Sequence, residues 1–346
     1  MGGSGGEDQK LLDENHELSH GGDLGAARRR FPGAPEPFID LSTGINPYPY
    51  PVPRLAADVF ARLPEPADVQ RLARAAAHAY GAPSEAHVVP VPGTQIALPV
   101  VARLVPPGRA LVLSPGYAEH ARAATLAGHQ VEAASRLDEC RAATLVIIAN
   151  PNNPDGRLLA RSDLLALAAE LRRRRGLLVI DEAFMDVGPP GSSLAPDVGG
   201  ANIIVLRSFG KFFGLAGVRL GFALAAPPLA RKIAAALGPW AVSGPALAVG
   251  TTALADTAWI ERARARLDTS ARRLDAILAD LALPLVGGTS LFRLVQTPAA
   301  NALFQHLGEA GIWVRAFAEN PKWLRFGLPG NEAAWKRLKA ALVAFW

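Results

Sequence analysis

Lys211 follows a run of apolar residues, at the point where a buried strand would end. Residues 203–206 read Ile-Ile-Val-Leu, and residues 207–211 read Arg-Ser-Phe-Gly-Lys. Burial disfavours the charged form of an amine, and a neutral lysine can form a Schiff base with an aldehyde. The pattern makes Lys211 a candidate for carrying an aldehyde cofactor, with a solvated loop lysine as the alternative.

Asp181 ends a second apolar run, residues 177–180. An unpaired carboxylate at the end of a buried strand is costly, so this side chain requires a partner. The protonated nitrogen of a pyridine ring is one suitable cation. An N-cap, or a buried ion pair with an arginine, would also explain an aspartate at this position.

Residues 92–95 read Pro-Gly-Thr-Gln and open a predicted helix. Gly93 allows a ligand to approach the backbone closely, and the N–H groups at a helix N-terminus bind phosphate. Ser208 and Arg219 are candidates for further donors to the same phosphate. An ordinary capped helix start is the alternative interpretation of this segment.

Two more loops follow predicted strands. Residues 150–156 read Asn-Pro-Asn-Asn-Pro-Asp-Gly, which is a turn signal, and Asn153 could donate to a phenolic oxygen of the cofactor ring. Tyr117 could stack on that ring, although a tyrosine at a strand end also serves as a core residue. Ligands of open α/β sheets bind beyond the carboxyl ends of the strands, so these loops are predicted to meet at one site.

Strands rich in Val, Ile and Leu alternate with helices through most of the chain. The predicted strands are 87–91, 110–113, 144–149, 177–180, 202–206 and 220–224, followed by 290–295, 312–315 and 323–326. Such strands indicate a mostly parallel sheet covered on both faces. We expect a leader (1–19), a segment packing on the active site or a dimer interface (20–53), a large domain (54–245) and a small α+β domain (246–346). A long helical stretch is predicted at about 245–281.

The composition excludes several classes of protein. Cys140 is the single cysteine of 346 residues, so neither an intrachain disulfide nor a metal site is expected. No apolar run is long enough and free enough of charges and prolines to cross a bilayer. The net charge of +5 comes mainly from scattered arginines, and no nucleic-acid-binding motif accompanies it. We expect a cytoplasmic enzyme for an anionic small molecule.

Taken in order, the motifs resemble the class I and II aminotransferase superfamily of fold type I pyridoxal-phosphate enzymes. The matching residues are Asn153-Pro154-x-Gly156, Asp181-Glu182-Ala183-Phe184, Ser208-x-x-Lys211 and Arg219-x-Gly221. The resemblance implies an α/β fold, with a mostly parallel central sheet sandwiched by helices and a smaller C-terminal domain. It also implies pyridoxal 5′-phosphate as the cofactor and a homodimer as the assembly.

The resemblance further implies a role for each matching residue. Lys211 would carry the cofactor, with Asp181 on its pyridine nitrogen, Asn153 on O3′ and Tyr117 stacked on the ring. Many relatives have a tyrosine at the position of Phe184, which cannot donate to O3′. Four residues would bind the cofactor phosphate: Gly93, Thr94, Ser208 and Arg219. Gln95 would lie beside them.

Two branches of the superfamily are similar to this sequence. The segments His20-Gly21-Gly22-Asp23 and Asp40-Leu41-Ser42-x-x-Ile45-Asn46-Pro47 resemble the threonine-phosphate decarboxylase family of cobalamin biosynthesis. That resemblance implies a small phosphorylated amino acid as substrate, with His20-Gly21-Gly22 helping to bind its phosphate. The wider superfamily resemblance implies that Arg325 holds its carboxylate. The substrate-binding candidates are His20, Gly21, Gly22, Asn46, Arg315 and Arg325. A histidinol-phosphate or other aminotransferase, and a non-catalytic binding protein, are the alternatives.

Overall fold

The computed structural model describes residues 21–200 and 202–346. The predicted leader at 1–19 and the candidate residue His20 lie outside the described residues. The chain divides into two compact units. The continuous unit is Tyr48–Ala263, and the discontinuous unit combines the described residues up to Pro47 with Arg264–Trp346. The division at 53/54 and 245/246 that the sequence favours stays a prediction.

Strands and helices alternate along the described residues. The strands are β1 (Ile39–Asp40), β2 (Val88–Val91), β3 (Arg109–Leu113), β4 (Gln130–Ala134), β5 (Leu145–Ala149), β6 (Leu177–Asp181), β7 (Ile203–Ser208), β8 (Gly221–Ala225), β9 (Leu285–Thr289), β10 (Phe292–Gln296), β11 (Ile312–Trp313), β12 (Arg315–Ala316) and β13 (Trp323–Gly327). The helices are α1 (Leu24–Arg30), α2 (Asp58–Ala61), α3 (Pro66–Tyr80), α4 (Thr94–Ala102), α5 (Ala118–Leu126), α6 (Arg161–Arg173), α7 (Phe209–Phe212), α8 (Pro227–Leu237), α9 (Gly244–Ala255), α10 (Thr257–Asp280), α11 (Ala300–Glu309) and α12 (Glu332–Phe345). Within this part of the chain, no helix combines the length and apolar content that a membrane span requires.

The central sheet of the continuous unit has seven strands in the order β2-β8-β7-β6-β5-β3-β4. The pairs from β7 to β4 are parallel, whereas β8 runs antiparallel to both β7 and β2. The mostly parallel sheet predicted from the apolar runs is therefore confirmed. Because β2 and β7 each oppose β8, they run in the same direction and end at the same edge.

Alternating side chains divide the apolar residues of this sheet between two faces. On one face, Ile147, Val179 and Ile204 form a cluster with Leu98 of α4 and Ile233 of α8. Each of these buried side chains contributes about 1.5–3 kcal/mol relative to an exposed one. The intervening strand residues are buried too, so both faces are covered, as continuous apolar strands predict.

Three differences from the sequence prediction have a clear physical reason. Strand β4 carries no apolar run, because it lies at the edge of the sheet and is largely exposed. The helical stretch predicted at 245–281 is wrong as one helix, since Asp256 ends α9 and accepts the N–H of Trp259 in α10 at 2.9 Å. The predicted strand 290–295 is the second arm of a hairpin whose first arm, β9, is hidden by Gly287 and Gly288.

The discontinuous unit contains an antiparallel sheet in the order β12-β13-β10-β9 and the parallel pair β1-β11. The register places Arg315 directly opposite Arg325, so their side chains leave the same face. Beyond β1, the Leu41 N–H donates to the Trp313 carbonyl, and the Leu41 carbonyl accepts from Gly327, both at 2.7 Å. These bonds fix the chain that follows β1 beside the end of β13.

A buried charge network joins the ends of β6 and β7. Arg207 donates to Glu182 at 3.0 Å and to Asp186 at 2.8 Å, and its guanidinium lies 4.3 Å from the ring centre of Tyr80. Burial raises the pKa of Glu182, and the charge of Arg207 opposes that rise. The arginine therefore allows two carboxylates to stay in the interior. Glu182 is next to Asp181 in the sequence, and Arg207 is next to Ser208.

Replacing Arg207 by Leu should strongly destabilise the protein, because two buried carboxylates then lose their cation. We expect the free energy of unfolding to fall by about 3–5 kcal/mol, measured by urea unfolding followed by circular dichroism. The control is Arg136→Ala, which removes an exposed ion pair with Asp138 and should change stability by less than about 1 kcal/mol. Equal losses in the two variants would contradict the proposed importance of the network.

Candidate active site

The topology brings most of the candidate residues to one edge of the central sheet. Asp181 and Ser208 are the last residues of β6 and β7, and Asn153 lies in the loop after β5. Gly221 pairs with both Ser208 and Val91, so the loops after β2 and before β8 reach the same edge. The term sheet-edge cluster is used here for Gly93, Thr94, Gln95, Tyr117, His120, Asn153, Asp181, Phe184, Ser208, Lys211 and Arg219.

Asp181 is buried and has a histidine as its partner. Its Oδ2 lies 2.9 Å from Nε2 of His120, and its Oδ1 accepts the N–H of Ala183 at 3.1 Å. The side chains of Asp181 and His120 are 8% and 1% exposed. A buried carboxylate favours the charged form of a nearby cation, so this pair suits a protonated ring nitrogen. The buried arginine that the sequence left open as a partner bonds instead to the adjacent Glu182.

Lys211 lies in the one-turn helix α7, which begins directly after β7. Its neighbours Phe209 and Phe212 are fully buried, and its Nζ lies 5.8 Å from the ring centre of Phe184. Aromatic and apolar neighbours limit the solvation of an amine, as a reactive lysine requires. Ser208 is half-buried and forms the N-cap position of the same short helix.

Gly93 and Arg219 bring the loop before α4 against the loop before β8. Gly93 has a φ of +88°, and a Cβ atom at this position would lie 2.7 Å from Nη2 of Arg219. Arg219 has a left-handed φ of +56°, which is uncommon outside glycine and concentrated at functional sites. The guanidinium therefore lies beside the start of α4, where the helix dipole favours an anion. The Gly93 N–H donates to Val91, and the missing side chain of Gly93 leaves room for the Arg219 guanidinium.

Gln95 and Tyr117 are joined by a hydrogen bond. Oη of Tyr117 donates to Oε1 of Gln95 at 3.0 Å, and Nε2 of Gln95 donates to Glu119. The centres of the Tyr117 and His120 rings are 5.4 Å apart, in an edge-to-face arrangement. These contacts orient the tyrosine ring, which suits stacking on a planar ligand. A contact between Gln95 and a phosphate stays a prediction.

The loop that carries Asn153 is held by its buried neighbours. Nδ2 of Asn152 donates to the Pro115 carbonyl and to Asp155, both at 2.8 Å. Oδ1 of Asn150 accepts the N–H of Leu159 at 2.8 Å. Asn153 itself is half-buried between these anchors, in a loop at the same edge as Asp181.

Arg325 and Arg315 belong to the discontinuous unit, together with the glycines that follow His20. Nη2 of Arg325 donates to the carbonyl of Ser42 at 2.8 Å, and Oγ of Ser42 accepts the N–H of Gly22 at 2.8 Å. Burial and then the like charge of Arg315 lower the pKa of Arg325 to about 9, while Asp40 opposes this. Asn46 is buried in the same unit. The term arginine cluster is used here for Gly21, Gly22, Asp40, Ser42, Arg315 and Arg325.

The two glycines pack closely on Ser42. At Gly21 a Cβ atom would lie 2.4 Å from the carbonyl oxygen of Ser42, and Gly22 has a φ of +96°. The Gly22 N–H donates to Oγ of Ser42. The expected contact of the glycines with a substrate phosphate stays a prediction. The glycines are needed because the chain packs so closely on Ser42. His20 lies outside the described residues, and its role stays a prediction.

His120 lies in none of the sequence motifs, and Ser42 lies in one of them without an assigned role. His120 stands in the first turn of α5, on the buried face that also carries Ala123 and Ala124. A histidine on the buried face of a helix that starts at the carboxyl edge of the sheet could have indicated it. Ser42 acts through contacts with segments distant in sequence, which no local pattern shows. Among residues 21–200 and 202–346, no group of three His, Cys, Asp or Glu side chains could hold a metal.

The class I and II aminotransferase family matches residues 36–342 of the chain. The chain therefore belongs to this family, and the predicted membership is confirmed.

Individual relatives narrow the comparison. The threonine-phosphate decarboxylase of Pseudomonas aeruginosa is 45% identical over 334 residues, which cover 95% of this chain and 98% of that protein. The threonine-phosphate decarboxylase of Sinorhizobium sp is 44% identical over 329 residues, which cover 94% and 98%. Among solved structures, the histidinol-phosphate aminotransferase from Sinorhizobium meliloti, in complex with pyridoxal-5′-phosphate, is 25% identical. Its TM-score is 0.82, and the match covers 92% of this chain and 93% of that one.

Proposed function

We propose that the protein is a pyridoxal-phosphate-dependent decarboxylase of L-threonine O-3-phosphate. It releases CO2 and forms (R)-1-amino-2-propanol O-2-phosphate, a step of cobalamin biosynthesis. The identity of 44–45% to two threonine-phosphate decarboxylases, over nearly the full length of the chain, supports this substrate. The structural observation that carries the proposal is the buried Asp181–His120 pair at the sheet edge that also carries Lys211.

The sheet-edge cluster fits pyridoxal 5′-phosphate group by group. Asp181 offers a buried carboxylate to a ring nitrogen, and Tyr117 offers an oriented aromatic ring. The space at Gly93, beside the Arg219 guanidinium and the start of α4, suits a phosphate. Lys211 would hold the aldehyde carbon. Asn153 would donate to O3′ without help from Phe184, which has no hydroxyl group.

The cofactor, when bound, would supply an electron sink for the bond that breaks at Cα. Asp181 holds the proton of the ring nitrogen, and His120 keeps that carboxylate oriented. Nζ of Lys211 returns a proton to Cα after CO2 has left. The arginine cluster supplies the charge for the substrate anions, with Arg325 presenting a planar guanidinium to the carboxylate. Binding of both substrate anions fixes the orientation of the substrate and so determines which bond at Cα breaks. Part of the binding energy is used for this orientation.

A CO2-release assay tests the function directly. The purified holoenzyme should release stoichiometric CO2 from L-threonine O-3-phosphate when no oxo acid is present. Lys211→Ala is the control: it should fold normally, lack turnover and yield no cofactor adduct on borohydride reduction. Amino-group transfer from histidinol phosphate to an oxo acid, without CO2 release, would contradict the proposal in favour of an aminotransferase.

Replacing Asp181 by Asn should lower kcat by about 100-fold or more, because the isosteric amide carries no charge to keep the ring nitrogen protonated. Cofactor affinity should also fall, and a fluorescence titration of the cofactor measures this independently of turnover. The control is Asp155→Asn, whose carboxylate bonds within its own loop. A near-wild-type kcat in Asp181→Asn would rule out the assigned role.

The assembly is proposed to be a homodimer. The apolar residues of segment 38–53 are no argument for a dimer, since Phe38, Leu41 and Tyr50 are already buried within the single chain. Support comes instead from large apolar side chains that a single chain leaves exposed: Val52, Phe60, Leu63, Ile96 and Trp240. Ile96 directly follows Gln95 of the sheet-edge cluster. The cytoplasmic location predicted from the sequence stays a prediction.

Sedimentation velocity should show a dimer at micromolar concentration. Phe60→Asp should shift the equilibrium towards the monomer, because a charge would replace a ring that is 67% exposed in the single chain. Val343→Asp, at a side chain of α12 that is 55% exposed, is the matched control. A wild-type protein that sediments as an active monomer would exclude this assembly.

A further inference from the structure

Ser42 forms hydrogen bonds with several other members of the arginine cluster. Its carbonyl accepts from Nη2 of Arg325, and its hydroxyl accepts from the N–H of Gly22, each at 2.8 Å. The missing Cβ of Gly21 leaves room for the same carbonyl. A single buried residue, 1% exposed, therefore fixes the arginine and the N-terminal glycines relative to each other.

Asp40 determines the orientation of Ser42. Its Oδ1 accepts from the Ser42 N–H at 2.9 Å and from the Ser42 hydroxyl at 2.6 Å. A hydroxyl has one proton, and an ionised carboxylate can only accept. The Ser42 proton is therefore directed to Asp40, and a lone pair of the same oxygen is left for Gly22. Asp40 is itself held in β1, which pairs with β11.

The charges of the cluster add a second role for Asp40. Arg315 and Arg325 are directly opposite each other on neighbouring strands, where like charges are unfavourable. Asp40 is the acidic side chain that favours the charged form of the buried Arg325. Asp40 therefore opposes the effect that the like charge of Arg315 has on Arg325.

We propose that Asp40 is a positioning residue for substrate binding, which acts through Ser42 to fix Arg325 and Gly22 as one unit. The inference rests on the proposed function, because it takes Arg325 as the residue that binds the substrate carboxylate. Asp40 touches neither the substrate nor the cofactor. Its effect is on the affinity for the substrate and is transmitted by hydrogen bonds.

Two substitutions of Asp40 separate hydrogen bonding from charge. Asp40→Ala removes both bonds to Ser42 and should raise the KM of the holoenzyme for L-threonine O-3-phosphate about tenfold, as two lost hydrogen bonds predict. The kcat should change by less than about threefold, because the sheet-edge cluster is intact. Asp40→Asn should restore most of the affinity, because both bonds use one oxygen that the amide can supply. Asp138→Ala, an exposed aspartate in the other unit, is the control.

Hydrogen exchange gives a readout that does not depend on activity. The Gly22 amide should exchange faster than wild type in Asp40→Ala and in Ser42→Ala, and at the wild-type rate in Asp40→Asn. Mass spectrometry of the peptide that contains residues 21–30 measures this. Should the wild-type enzyme neither bind nor decarboxylate threonine phosphate, the proposed function fails, and the exchange rates still decide whether Asp40 positions Gly22.

Three results would overturn the inference. The first is a wild-type KM in Asp40→Ala, whether or not the Gly22 amide exchanges faster. The second is an Asp40→Asn variant as impaired as Asp40→Ala, since the charge and not the hydrogen bonds would then matter. The third is an unchanged exchange rate in Ser42→Ala, because Ser42 would then not hold Gly22.

Discussion

Two buried carboxylates follow one another at the end of β6, and neither can remain charged there without a partner. Glu182 is held by Arg207 together with Ser193 and the N–H of Leu194, so its hydrogen-bonding capacity is met by the protein. Among the described residues, Asp181 has a single side-chain contact of this kind, with Nε2 of His120 at 2.9 Å, and its Oδ1 accepts the N–H of Ala183. The same strand end thus provides one carboxylate that stabilises the fold and one that remains suited to an external cation.

The reversal of a single strand explains how the remaining groups reach Asp181. Because β8 is antiparallel, its first residue, Gly221, lies at the edge where β2 and β7 end. Arg219, two residues earlier, is thereby brought to the start of α4. A Cβ at Gly221 would lie 3.0 Å from the backbone nitrogen of Thr94, so the glycine allows these loops to pack closely. One sheet topology therefore brings the Arg219 cation, the N-terminus of α4 and Lys211 to the same edge.

The sequence predicts features of this molecule that depend on local pattern. Continuous apolar runs predict the central strands, and polar residues at their ends predict the edge where Asp181 and Lys211 lie. Strands β4 and β9 are not predictable in this way, because an exposed edge and paired glycines remove the apolar signal. The partners His120 and Arg207 are also hidden, since each contact joins residues at least 21 positions apart. The packed sheet determines the partner of each buried charged side chain, and no single segment of the sequence shows it.

In the arginine cluster, the glycine motif has packing reasons that its sequence does not show. Consecutive glycines suggest exposed N–H donors, yet Gly22 donates to Ser42, and Gly21 is small because a carbonyl lies against it. The positive charge comes instead from two arginines forced into register by β12 and β13. Like charges in register repel each other, and Asp40 favours the charged form of Arg325 against that repulsion. The pairing of β12 with β13 therefore creates a requirement for negative charge at this place, which neither strand shows on its own.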